Sequence, residues 1–119
     1  MARAIPLKLL IHNIVFKRES GKDRDRNPVF NNYEIKNVRV VLTKRTVVTQ
    51  IGETKADEMK LFIDAKNSTY WQGTEKINPF DPQELDEIVW DNKTYTIRSV
   101  APYYTQGSNV LHHYEASLE

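Results

Sequence analysis

The stretch Glu58-Met59-Lys60-Leu61-Phe62-Ile63-Asp64 decides the fold class of this chain. Met59, Leu61 and Ile63 alternate with Glu58, Lys60 and Phe62, the period of two that marks a strand with one face buried. The same alternation continues in both directions. Upstream, over residues 33–48, the apolar set is Tyr33 and Ile35, then Val38, Val40 and Leu42. That change of parity at Lys36-Asn37 predicts a bulge, which bends a strand as a small barrel requires. Further upstream Ile14 and Phe16 share one face, with Asn13, Val15 and Lys17 on the other. Downstream come two hairpins. Residues 88–90 and 94–100 flank Asp91-Asn92-Lys93, whose Asp and Asn tolerate the left-handed conformations of a tight turn. Residues 94–104 and 109–118 flank a turn at Gln106-Gly107-Ser108, and the last strand alternates Val110, His112, Tyr114, Ala116 and Leu118 against Leu111, His113, Glu115 and Ser117.

Six or so short strands separated by polar turns predict an all-β fold: a small single-domain β-barrel or sandwich over residues 1–119, with long loops and at most one short helix. The helix is expected at Asp81-Pro82-Gln83-Glu84-Leu85, with Asp81 as N-cap, Pro82 at the first helical position and Glu84 three residues on. Three connections exceed a minimal hairpin: residues 19–30, 47–57 and 66–83. Long ordered loops in compact domains are often functional. The third carries Tyr70, Trp71 and Phe80, apolar bulk that packs either back on the barrel or onto a partner.

Composition narrows the class. At 119 residues, 39% hydrophobic and 28% charged, the chain can bury one modest core and is not expected to be disordered. The absence of cysteine rules out a disulfide framework, a thiolate zinc site and a cysteine nucleophile, and suits a reducing cytoplasm. No apolar run approaches the roughly 20 residues of a membrane span, and Pro6 and Lys8 break the N-terminal segment too early for a secretory signal. The sequons at Asn67 and Asn92 therefore read as loop and turn sequence. Charge is uneven: residues 1–45 hold 11 Lys/Arg against 4 Asp/Glu, and residues 46–119 hold 6 against 12. Such asymmetry favours subunits meeting unlike face to unlike face, or presents a basic surface to nucleic acid, unless folding mixes the two halves.

The residues point away from catalysis, and no cofactor or metal is expected. Nucleophilic catalysis needs a hydroxyl beside a base, and the only histidines are His12, His112 and His113. Four glycines, at 21, 52, 73 and 107, build no known phosphate-cradling pattern. His112 and His113 are adjacent on a strand and face opposite ways, so His112 is expected in the core and His113 exposed. Glu84, Asp86, Glu87 and Asp91 lack the spacing of a calcium loop and read as a solvated acidic rim. The run from Lys17 to Arg26 carries five positive and three negative charges. Acids at that density weaken phosphate binding, so Lys22, Arg24 and Arg26 are expected on a mobile solvated hairpin loop. A single-strand-binding barrel would also alternate aromatic with basic residues on one face, whereas the aromatics here mostly share faces with aliphatics.

The opening Ile5-Pro6-Leu7-Lys8-Leu9-Leu10-Ile11-His12, followed by a strand, is similar to the start of small minor capsid proteins of phages of Gram-positive bacteria. The stretch from Leu85 to Val100 resembles a hairpin of phage head-closure (stopper) proteins, in which acid, strand, Asp/Asn-Gly-Lys and Tyr-x-Ile/Val lead into a final strand. Leu61-Phe62-Ile63-Asp64-Ala65 also fits, while Asn92 stands where glycine is common and tolerates the same geometry. The resemblance implies a head–tail connector in the virion neck, assembled in the bacterial host cytoplasm. There it would form a homo-oligomeric ring under the portal and adaptor, retain DNA and offer the tail a platform. Implied partners are copies of itself, portal or adaptor and tail proteins, and non-specific contact with packaged DNA, with no membrane. On that implication Thr49, Gln50, Gly52, Glu53, Thr54 and Lys55 form the candidate channel loop, and Tyr70, Trp71 and Phe80 the candidate docking loop. The alternatives are a tail-completion or terminator subunit of the same neck, or a nucleic-acid-binding β-barrel using the basic N-terminal third.

Overall fold

A computed structural model describes residues 4–119, apart from the side chains of Arg45, Val47, Thr54, Lys55 and Ala56. Eight strands follow a single 3-10 turn at Leu7–Leu9: β1 His12–Lys22, β2 Pro28–Thr49, β3 Gly52–Asp64, β4 Thr69–Gln72, β5 Glu75–Ile77, β6 Glu87–Trp90, β7 Lys93–Tyr104 and β8 Leu111–Leu118. The order β1-β6-β7-β8-β3-β2, with β2 pairing back onto β1, closes a six-stranded barrel. Every pairing is antiparallel. The barrel is the outcome, not the sandwich.

The inward face of the alternation makes the core. Ile14, Phe16, Ile35, Val38, Leu61, Ile63, Ile88 and Ile97 are each at most 1% exposed, and burying such a side chain contributes about 1.5–3 kcal/mol. The expected bulge is present: Asn37 has φ 61°, and the β1–β2 register slips between His12↔Val38 and Ile14↔Ile35. The slip returns both Ile35 and Val38 to the interior, which a regular strand could not do.

A second interruption splits one strand into two. β3 and β4 follow each other along β2, pairing at Ile63↔Val38 and then Thr69↔Lys36. Between them the fully buried Asp64 accepts the amides of Ile5, Lys66 and Asn67 at 2.8–3.0 Å, while the Ser68 hydroxyl donates to the Asn37 carbonyl and accepts from the Asp64 amide. One carboxylate thus shapes the break and holds the N-terminal segment against the barrel. Both final turns form as expected, with Asp91 and Asn92 left-handed at φ 51° and 61°.

Several expectations are corrected. Leu42 is 61% exposed: β1 pairing ends at His12↔Val38, and Leu42 borders an open cavity with Met59, Trp90 and Tyr95 instead of packing in the core. Residues 19–30 and 47–57 are not loops: strand pairing runs through them to turns at residues 23–27 and 50–51. No helix forms at Asp81. Its carboxylate accepts from the Tyr114 hydroxyl and its carbonyl from Arg18, so neither caps a helix, and Leu85 turns left-handed at φ 74°.

Candidate assembly surfaces

Barrel closure leaves two long ribbons projecting. β8 stops pairing with β3 at Met59↔Leu118, so residues 43–49 and 52–58 continue as a two-stranded ribbon with no third strand among the described residues. At roughly 3.4 Å per residue its seven pairs reach about 24 Å. Val48 is 77% and Ile51 99% exposed near the tip. The Thr49 hydroxyl closes the turn, donating to the Gly52 carbonyl and accepting from the Ile51 amide. Thr49, Gln50, Gly52 and Glu53 therefore sit at the tip of a ribbon. Thr54 and Lys55 belong to its β3 side, and their side chains lie outside the described part of the structure. The exposed pair Lys44–Asp57, at 3.3 Å, links the two strands by charge, and such a pair contributes under about 1 kcal/mol.

The second ribbon is the β1–β2 arm, at the opposite end of β2. β1 meets β6 only at Val15, Phe16 and Lys17, yet its pairing with β2 runs on to Lys22↔Pro28. Asp23 organises the tip by accepting the amides of Asp25 and Asn27, both at 2.9 Å. Lys22, Arg24 and Arg26 are exposed there together with Asp23 and Asp25, so the field at the tip is mixed in sign. Arg18 does not share this solvated surface. Its guanidinium donates to both Asp86 oxygens, at 3.1 and 2.7 Å, and to the Asp81 carbonyl at 2.7 Å, and it lies 5.0 Å over the Phe80 ring. The hydrogen bond to Asp86 raises the Arg18 pKa further. Asp86 is 5% exposed, a correction to the solvated rim. It also accepts the Gln83 amide at 2.8 Å, fixing the turn over residues 83–86.

Residues 66–83 include the short hairpin β4–β5 and then fold back on the barrel. Phe80 meets Phe16, Tyr33 and Tyr70 at centroid distances of 4.9–5.2 Å. Burial pushes the Tyr70 phenol up in pKa, and burial with the Asp81 hydrogen bond does the same for Tyr114. Tyr70 and Phe80 are thus core residues. Trp71 stays half-exposed on β4, its indole N–H donating to Thr69 and its ring 4.8 Å from the Lys36 ammonium.

The histidines differ from expectation. His112 and His113 are both half-buried, and their Nδ1 atoms lie 2.7 Å apart. Glu115 holds His113 Nε2 at 3.0 Å and the Tyr103 ring stacks on the imidazole at 4.9 Å, which takes His113 out of solvent. Among the described residues no three His, Asp or Glu side chains are grouped to hold a metal ion. What the molecule offers is surface: a rigid barrel, two projecting ribbons and a turn locked by an ion pair. The lock escaped sequence reasoning because Arg18 and Asp86 are 68 residues apart. The one local signal was periodicity: Arg18 follows Ile14 and Phe16 on the inward-facing parity of β1.

A family model described as minor capsid protein matches residues 6–118. No curated protein matches the chain.

Proposed function

The chain belongs to the minor capsid protein family, a family of phage structural proteins, and on that premise we propose that it is a neck protein that closes the filled head and joins it to the tail. Membership points to a structural, non-enzymatic part of the virion. The observation that carries the finer reading is the β2–β3 ribbon. Two-stranded ribbons are marginal in water, and this one leaves the barrel with an almost fully exposed isoleucine at its tip. Neighbouring molecules would supply the missing contacts. In a ring of copies under the portal and adaptor, residues 49–55 face the lumen and Trp71 faces an axial neighbour. Lys22, Arg24 and Arg26 lie at the opposite end of β2, in reach of packaged DNA.

The test is deletion of the gene in a producing phage. The proposal expects filled heads and complete tails that stay unjoined, or heads that leak DNA, with complementation restoring virions. Normal infectious virions without the protein would contradict it.

A further inference from the structure

Leu85 is held in a conformation that a leucine rarely takes. Its φ is 74° and it is 81% exposed. A bulky side chain at positive φ is strained and persists only where its surroundings impose it. Here they do: the Leu85 amide donates to the Ile97 carbonyl at 2.9 Å, the Asp86 amide donates to the Gln83 carbonyl, and the Arg18–Asp86 pair anchors the turn. The fold therefore presents an apolar knob to solvent. Exposed Glu84 precedes it in the chain and half-buried Glu87 follows two residues on, giving it an acidic collar.

The opposite wall carries a matching slot. Ile5, Leu9, Arg39 and Phe62 line a shallow, almost wholly apolar cavity of about 320 Å³. Leu9 is 47% exposed at its edge, and its chain neighbours Leu7, Lys8 and Ile11 are exposed too. The slot is built. Asp64 accepts the Ile5 amide, the Asn67 side chain donates to the Ile5 carbonyl at 2.8 Å, and Arg39 donates to the Leu9 carbonyl at 3.3 Å. Around the barrel, in the order β1-β6-β7-β8-β3-β2, the knob lies where β6 meets β7 and the slot where β3 meets β2. Those two seams are half a turn apart.

We propose that a second copy of this chain seats its Leu85 knob in the Ile5–Leu9–Phe62 slot, the acidic collar of one molecule meeting Lys8 and Arg39 of the next. Charge complementarity selects the partner, since an acid-collared leucine fits an apolar slot flanked by cations. Two unlike patches on opposite walls make a heterologous contact, which closes into a ring or continues as a helical row according to the rotation between copies. The proposal gives the ring of the preceding subsection its lateral joint, and in that sense rests on it.

The cysteine-free chain allows a clean test. Phage carrying Leu85→Cys together with Leu9→Cys are oxidised and their virions run on a non-reducing gel, and concentrated purified protein is treated in parallel. Cβ atoms about 3.8 Å apart form a disulfide readily, so seated knobs should give a ladder of multimers. Mixed Leu85→Cys and Leu9→Cys single variants should stop at dimers. Virions that contain the protein without any cross-link overturn the joint, as do dimers from Leu85→Cys alone, which would mean like-to-like contact. Cross-links only to a different protein also overturn it. If the protein is missing from virions the neck reading falls, and the purified arm alone then decides the joint: a ladder upholds it and monomers refute it.

Discussion

Replacing Asp86 by alanine should unfold the protein far more easily than an average substitution. Asp86 is 5% exposed and accepts three hydrogen bonds, two from Arg18 and one from the Gln83 amide. Alanine leaves that amide unpaired and strands a guanidinium against Phe16 and Phe80, 5.5 and 5.0 Å from their rings. Breaking a buried ion pair by removing one partner costs about 3–5 kcal/mol. The Arg18 side chain keeps 28% exposure, so water recovers part of its hydration and the lower end, about 3 kcal/mol, is expected. With an unfolding entropy near 2.1 cal/mol/K per residue, a chain of this length should lose roughly 12 °C in Tm. Urea and thermal melts of wild type, Asp86→Ala, Arg18→Met and the double variant form a complete cycle. The double variant should be more stable than Asp86→Ala, with a coupling of at least about 1.5 kcal/mol, because the stranded charge is gone. A loss below about 1 kcal/mol for Asp86→Ala, or strict additivity, would show that the pair does not lock the turn.

Asp64→Ala should cost about 2–3 kcal/mol by leaving three part-buried amides unpaired, and hydrogen exchange should quicken first at Ile5, Lys66 and Asn67, whose amides it holds. Ile51→Asp should leave the melt within about 0.5 kcal/mol, since the site is a solvent-exposed tip, yet reduce the yield of joined virions in a complementation assay. His12 predicts a pH dependence. Its Nδ1 accepts the Val40 amide at 3.0 Å, and burial, then Arg39, lower its pKa from 6.5. A histidine with a lowered folded-state pKa binds its proton more readily when unfolded. Its share of stability is therefore complete above pH 6.5 and declines as pH falls below it. His12→Gln should flatten that part of a Tm-against-pH curve; an unchanged slope would remove His12 as the cause.

Local alternation carried the fold. The segment 58–64 and its neighbours displayed their inward faces residue by residue, and the parity change at Lys36-Asn37 located the bulge, because β-pairing forces the side-chain period. What stayed hidden was non-local. Nothing in residues 47–57 tells a ribbon from a loop until it is known that β8 ends at Leu118 and β1 begins at His12. The helix expected at Asp81 failed for the same reason: its cap was legible, but the competing partners Arg18 and Tyr114 are 63 and 33 residues away. Of the candidate site residues, those at 49–53 and 22–26 lie at exposed tips, while Tyr70 and Phe80 serve the core and Trp71 stays half-exposed. Leu85 reads as the last residue of the expected helix and the first of the stretch resembling a head-closure hairpin, and only its φ and the Arg18–Asp86 pair reveal a displayed knob.

Cryo-electron microscopy of purified virions tests the neck assignment most directly. The account predicts a ring of six-stranded barrels between the head vertex and the tail, with residues 49–55 toward the lumen. Barrel density elsewhere in the virion, or a complete neck with no position for this chain, would contradict it.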